Sequence, residues 1–270
     1  MVKMYIKDYT TVVDPELELN TTVKIASRQV KEYTNISNLI LCYGVSSFVG
    51  LGTDTTTKST IALNYVPYVV ASRLGYLCDA DNVLLDSTVC VSFTSGLVMA
   101  EKMLTDNPEK DVVLVNLDFG NSSSLKDVFN SLGITGVKFN SGLAVYLLSS
   151  KPSKYYIENP TTIRFNSSNP ILTDAAHYVA LMRKFSDFSV SCVKKHDTGT
   201  ANNTETENTA VREVFGDIHT LSYKPIIGHC MGSSGGVELG ILLDSGFTGN
   251  VLNVSAGMGN IYGGFLAGSN

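Results

Sequence analysis

The 270-residue sequence has no long hydrophobic run, no basic excess and no paired cysteine spacing. No stretch approaches the ~18 apolar residues needed to cross a bilayer, which excludes a transmembrane helix. The N-terminus, MVKMYIKDYTTVV, places Lys3 and Lys7 inside its first apolar stretch and lacks a small-residue cleavage site, so a secretory signal is not expected and the location is read as cytoplasmic. A net charge of −5 gives phosphates no basic footprint to bind, which argues against nucleic acid as a partner. The five cysteines, Cys42, Cys78, Cys90, Cys192 and Cys230, are odd in number and scattered without C-x-x-C spacing. That excludes a disulfide framework and a zinc knuckle and leaves free thiols. Tandem repeats and low-complexity tails are also missing, so a solenoid is excluded.

What is present is an ordinary globular composition, 44% hydrophobic and 17% charged, in a chain long enough to bury a large core. Apolar runs at 38–45, 111–117, 143–149, 191–195 and 250–255 read as buried strands. Between them, Phe93, Leu97, Ala100 and Leu104 share one helical face, and 172–185 has helical period with Thr173 or Asp174 as its cap. Strands alternating with helices predict an α/β fold. KPSKYYIENP, at 151–160, and the polar NSSNP, at 166–170, read as joints, the first of which roughly halves the chain.

Three stretches carry candidate chemistry. HDTGTANNTETE, at 196–207, puts a histidine before small hydroxylated residues and a carboxylate, Glu207, eleven positions on. KPIIGHCMGSSGGVELGILL, at 224–243, sets Lys224 and His229 before a glycine-rich turn that leads into a helix. DSTVCVSFTSGLVMAEKML, at 86–104, puts Cys90 where a strand ends and a helix begins, a place where free amides and the helix dipole lower a thiol pKa. Each stretch alone has a structural explanation: a core cysteine, a histidine beside a turn, or hydroxyls closing an ST-turn.

Together, in this order and spacing, the stretches resemble the β-ketoacyl synthases, the condensing enzymes of the thiolase superfamily. HDTGT resembles that family's H-G-T-[GS]-T loop, KPIIGHCMGSSGG its K-x-x-x-G-H-x-x-G-[AS]-x-G element, S-T-V-C its S-T-A-C, and SAGMGNIYGG its glycine-rich closing turn. The resemblance covers most of the chain from about Ser87 onward, in a sequence unusually short for the family. It implies a thiolase-like α/β fold of two pseudo-duplicated βα halves, with buried sheets in a layered α/β/α/β/α arrangement. The halves are expected at 1–150, carrying the cysteine, and at 151–270, carrying both histidine motifs.

The resemblance further implies a site. Cys90 would hold the acyl group, and His196 and His229 would stabilise the enolate of a malonyl-carrier thioester after decarboxylation, with Lys224 supplying charge and Glu207 holding the network. Thr198 and Thr200 would meet the pantetheine arm. The backbone amide of Cys90, with one from the Gly257, Met258 and Gly259 turn, would form an oxyanion hole. No metal and no cofactor are expected. Expected partners are acyl carrier protein or coenzyme A thioesters, and a second ketosynthase-like chain in a homodimer or heterodimer. His177 and His219 fall outside the motifs and read as structural or exposed. An alternative register, matching F-T-S-G to C-T-S-G, puts Phe93 at the nucleophile position and makes the chain a non-catalytic, chain-length-factor-like subunit. A third reading is simple acyl transfer or thioester hydrolysis. Asp197 stands where the family has glycine, and a carboxylate there would favour protonated His196.

Overall fold

The computed structural model describes residues 3–44, 57–120, 123–169 and 171–270. Val45 and Pro170, the ends of two expected segments, and Met1 and Val2 lie outside them.

The strands of the first half are β1 (Met4–Val13), β2 (Ile36–Tyr43), β3 (Asn82–Asp86), β4 (Asp111–Phe119) and β5 (Ser141–Ser149). Those of the second are β6 (Tyr155–Arg164), β7 (Val190–Lys194), β8 (His219–Leu221), β9 (Asn250–Gly257) and β10 (Ile261–Ser269). They form one sheet in the order β3-β2-β4-β5-β1-β6-β10-β9-β7-β8. Read from either edge, the permutation is the same, 3-2-4-5-1, once with the first five strands and once with the last five. The ladders repeat too: β3, β2 and β4 are parallel with β5 antiparallel to β4, as β8, β7 and β9 are parallel with β10 antiparallel to β9. This is the pseudo-duplication that the resemblance implies. The halves join where β1 meets β6 over Met4↔Ile157, Tyr5↔Tyr156 and Ile6↔Tyr155.

Side-chain alternation explains the layering. Leu39, Leu41, Val113 and Val115 point to one side, onto α1 (Leu19–Val30) and α2 (Thr57–Leu77). Their neighbours Ile40, Cys42, Val112 and Leu114 point to the other, onto α3 (Ser92–Asp106). Strands buried on both faces read as continuous apolar runs, which is why β2, β4 and β5 were legible in the sequence. Short α4 (Ser123–Ser131) follows β4, and α5 (Ala175–Met182), α6 (Ala201–Phe215), single-turn α7 (Lys224–Ile227) and α8 (Ser234–Asp244) belong to the second half. α5 and α6 cover its outer face through Tyr178, Leu181, Met182, Ala210 and Val211. α3 and α8 lie between the two half-sheets, in one core with Ala144, Tyr146, Ile157 and Phe265. The result is five layers.

Two expectations change. Residues 151–160 are not a plain joint, because β6 starts at Tyr155. Its Pro160 is tolerated because the β6–β10 register shifts there, from Glu158↔Leu266 to Thr161↔Gly264, and Asn159 turns to φ +54°. A bulge accepts the missing N–H, and β1 pairs only up to Ile157, so no ladder bond on that side is lost. The helix expected over 172–185 starts at Ala175, with Asp174 as its cap (Ala176 N–H to Oδ1, 2.8 Å), and ends in a 3-10 turn at Arg183–Phe185.

Candidate active site

Cys90 is presented by a strained turn. After β3, Val89 takes φ +52°, an unfavourable conformation for a β-branched residue that costs on the order of 1–3 kcal/mol. Short polar side chains hold it: Thr88 Oγ1 and Ser95 Oγ donate to the two oxygens of Asp86 at 2.9 and 3.0 Å. Thr88 N–H donates to Ser92 Oγ at 3.1 Å. The turn sets Cys90 just ahead of α3. Phe93, the alternative nucleophile position, faces away into the core against Tyr146 and Phe265, at ring separations of 5.4 and 5.8 Å.

The second half supplies the histidines. His196 follows β7, and its loop is fixed by Glu207 of α6, whose buried carboxylate accepts the backbone N–H groups of His196 and Asp197 at 2.6 and 2.7 Å. Gly228, at φ +83°, turns the chain into His229, which bridges Phe139 through His229 N–H to Lys138 O (2.6 Å) and Asn140 N–H to His229 O (3.1 Å).

Cys90 Sγ lies 3.3 Å from His229 Nε2, and the two imidazoles sit edge to face at 5.4 Å. His229 Nδ1 meets Ser234 Oγ at 2.9 Å. A hydroxyl can donate or accept, so Ser234 satisfies either tautomer of His229. Cys90, His196 and His229 all line a cavity of about 280 Å³, with Thr198 and Thr200, and Phe129, Ile134 and Met258, also in its lining. Thr198 and Thr200 both close the local turn and line the cavity. Thr200 caps α6 by accepting from Asn203 N–H at 3.3 Å, and its Oγ1 lies 3.2 Å from that of Thr198 on the cavity wall. Gly257 packs so close that a Cβ there would come 3.4 Å from Cys90 N. Gly259, at φ +87°, closes the β9–β10 turn outside the lining.

Beneath the cavity lies a charge cluster. Lys224 Nζ donates to His196 O and to Glu238 Oε1, both at 2.6 Å. The other Glu238 oxygen accepts from Lys194 Nζ. All three side chains are buried. Glu238 and Lys194 escaped the sequence reading, although each left a signal: a single carboxylate in the apolar run VELGILL, and a lysine inside a buried strand.

Burial, reinforced by Lys224 and Lys194, holds His196 and His229 well below the usual imidazole range, and each histidine is neutral near pH 7. This corrects the expectation for Asp197. Burial disfavours its charge, but hydrogen bonds from Ser222 and Thr204 and the neighbouring Lys195 hold it ionised and engaged away from the His196 ring. The Cys90 thiol is also corrected. Burial outweighs the pull of Lys224 and, with Asp118 and Glu238, raises it to about 12. Cys90 rests as a thiol, with His229 Nε2 at contact distance as a candidate acceptor for its proton. Burial likewise lifts Glu207 to about 7, against its two backbone hydrogen bonds. His177 stacks on Phe165 at 4.2 Å and His219 is exposed on β8, both away from the cavity.

Residues 166–244 match the family model described as "Beta-ketoacyl synthase, C-terminal domain". A β-ketoacyl synthase from Burkholderia phymatum STM815 superposes with a TM-score of 0.73 at 15% identity, over 92% of this chain and 82% of that one. The chain has a ketosynthase-like fold. A ketosynthase from module 6 of the bacillaene synthase of Bacillus subtilis 168 superposes at TM-score 0.74 and 13% identity, over 92% of this ketosynthase-like chain and 58% of that one. A chain from the complex of a Xenorhabdus doucetiae ketosynthase with its chain length factor gives 0.71 and 14%, over 100% and 98%. This ketosynthase-like chain thus spans little more than half the length of the bacillaene relative. No curated protein sequence matches it. No helix among the described residues is long and apolar enough to cross a membrane.

Proposed function

We propose that the protein catalyses decarboxylative Claisen condensation of an acyl thioester with a malonyl-carrier thioester, giving a 3-oxoacyl thioester for fatty acid, polyketide or polyene synthesis. The observation that carries this reading is the 3.3 Å approach of Cys90 Sγ to His229 Nε2, beside a second neutral histidine, on one cavity. In the loading step His229 Nε2 takes the thiol proton while Sγ attacks the thioester carbonyl. The carrier C–S bond breaks, and the leaving thiolate receives that proton. On this reading the N–H of Cys90, beside the turn at Gly257, donates to the oxyanion as it forms. In the condensing step the malonyl thioester loses carbon dioxide. The resulting enolate is held by an N–H from His196 and by one from His229, once His229 has exchanged its ring proton with water from Nδ1 to Nε2 and Ser234 has turned to donate to Nδ1. It attacks the acyl-Cys90 carbonyl, and Sγ departs. Neutral imidazoles suit this step, since a cationic histidine would quench the enolate by giving up a proton. Burial, with Lys224 and Lys194 behind the histidines, favours that state.

The carrier is an acyl carrier protein or coenzyme A. In one solved structure of this fold an acyl carrier protein is bound to its ketosynthase. A second ketosynthase-like chain, as homodimer or heterodimer, is the further partner of this reading. The chain-length-factor-like reading, without catalysis, gives no chemical reason for Cys90 to face two histidines, and simple transfer or hydrolysis gives none for the second histidine. The test is incubation with a panel of acyl-carrier and acyl-coenzyme A thioesters, followed by peptide mass spectrometry. An acyl adduct on Cys90, and a 3-oxoacyl product on adding malonyl-carrier, are expected. No adduct from folded protein across the panel sinks the stand-alone enzyme reading.

A further inference from the structure

Cys90 Sγ and one ring nitrogen from each of His196 and His229 all lie within 4.8 Å of one another, and the three side chains are buried at the end of an open cavity. We propose that these three groups also form a reversible Zn²⁺ site whose occupation blocks acyl loading. One thiolate sulfur and two imidazole nitrogens are a borderline-soft donor set of the kind that selects zinc over magnesium or calcium. Three protein donors leave the fourth tetrahedral position open to the cavity, where water sits. With Zn–S of about 2.3 Å and Zn–N of about 2.0–2.1 Å, tetrahedral geometry needs N···S separations of roughly 3.6 Å. The Cys90–His229 pair already stands at 3.3 Å. The third donor must close in, and no hydrogen bond to its Nδ1 among the described residues holds the His196 ring against that movement. Ser234, at 2.9 Å from His229 Nδ1, fixes the orientation of the second ring, as outer partners of ligating histidines do.

A neutral imidazole offers a lone pair to a metal without releasing a proton. Only Cys90 must give up its proton, which passes to solvent as the Zn–S bond forms, with no redox change. A zinc-held thiolate has its lone pair committed to the metal and its cavity face covered, so a thioester cannot be attacked. The proposal goes beyond the condensing reading, and metal binding is measurable whether or not that reading holds.

The experiment uses the full chain. Iodoacetamide modification of Cys90 is followed by peptide mass spectrometry without metal, with Zn²⁺, and with Zn²⁺ then chelator. In parallel, Co²⁺ is titrated and the near-ultraviolet thiolate-to-cobalt absorption is read. We expect Zn²⁺ to slow Cys90 modification at least about tenfold, chelator to restore it, and His196→Ala and His229→Ala each to lose the protection at the same Zn²⁺ concentration. Unchanged modification in the presence of Zn²⁺ overturns the proposal, as does protection that survives both histidine substitutions. If metal-free Cys90 resists iodoacetamide, the Co²⁺ spectrum decides. A charge-transfer band in the wild type that is lost in Cys90→Ser supports the site, and a wild type without the band refutes it. Acyl loading on metal-free protein is scored separately, so failure of the catalytic reading and failure of the metal site are distinguishable.

Discussion

Replacing Glu238 by Gln keeps its volume but removes the one carboxylate that answers two buried ammonium groups. Lys194 and Lys224 are each 2% exposed, so neither can reach water when its partner is lost. A glutamine offers one oxygen to one lysine and turns its NH₂ donor toward the other. Removing one partner of a buried pair costs roughly 3–5 kcal/mol. An independent bound agrees: a lysine of ordinary pKa 10.5 that must shed its proton at pH 7 costs 1.36 × 3.5, or about 5 kcal/mol. Lys194 is the one to do so, since burial already lowers it against the pull of Glu238. Lys194→Met should cost less than half as much, because it leaves Lys224 and Glu238 as a one-to-one pair. The double variant should be more stable than the sum of the single losses implies, by about 1–3 kcal/mol. Urea unfolding of the four proteins at pH 7 measures all of this. A Glu238→Gln loss under about 1 kcal/mol, or a Lys194→Met loss equal to it, would refute the assignment of two cations to one carboxylate.

Stability should fall as pH drops from 6.5 to 4.5. His196 and His229 have folded pKa values below the unfolded value of 6.5, so their contribution is present above that pH and is lost as pH falls. Glu207, raised from 4.5 to about 7, takes up a proton in the native state over the same window and offsets one of the two. The net slope is about 1.4 kcal/mol per pH unit, and Glu207→Gln should roughly double it. Urea midpoints at three pH values check this, and a flat profile contradicts it. His229→Gln should slow loading of Cys90 by about 10²–10⁴-fold in a timed acylation assay, as expected for loss of a general base, while an unchanged rate would remove His229 from the loading step. Gly96→Ala should cost about 1–3 kcal/mol by thermal or urea unfolding, because its Cβ would fall 2.3 Å from Cys42 Sγ and 2.9 Å from Leu114 Cδ1. A neutral effect would mean that α3 does not press on β2 and β4 this closely.

How much of this was legible before the structure depends on which force places each residue. β2, β4, β5 and β9 announced themselves because both their faces are buried along most of their length and their sequences are rich in apolar residues, and β7 through its short buried stretch at Cys192 and Val193. β1 and β6 did not, because their half-exposed faces interleave polar residues, and Pro160 hides β6 until its bulge is seen. β10, IYGGFLAGS, reads as a loop because its glycines make room for neighbours: a Cβ at Gly263 would meet Val91 at 2.5 Å, and one at Gly268 would meet Tyr156 at 2.2 Å. Cys90, His196, His229, Lys224 and Glu207 were named from motif spacing, and the fold assembles all five around one end of the cavity and its floor. Charge states were not legible. The dipole expected to lower the Cys90 thiol acts on a group wrapped by Phe129 and Met231, where burial is the larger effect. Asp197 was read as a neighbour of His196 in sequence, and only the positive φ of +36° at that residue reveals that its carboxylate turns to Ser222 and Thr204.

The two helices between the half-sheets have a mechanical consequence. α3 is linked in chain to the first half but shares its core with Ile157 and Phe265 of the second, while α8 belongs to the second and packs on Ala144 and Tyr146 of the first. Each half therefore holds the other's central helix in its own interior. Hinge opening between them would tear two cores at once, so a ligand of the cavity must enter by side-chain and loop movement around lining residues such as Phe129, Ile134 and Leu172. For the same reason heating should melt both halves in one transition: a molecule that opens the gate without ever parting the walls.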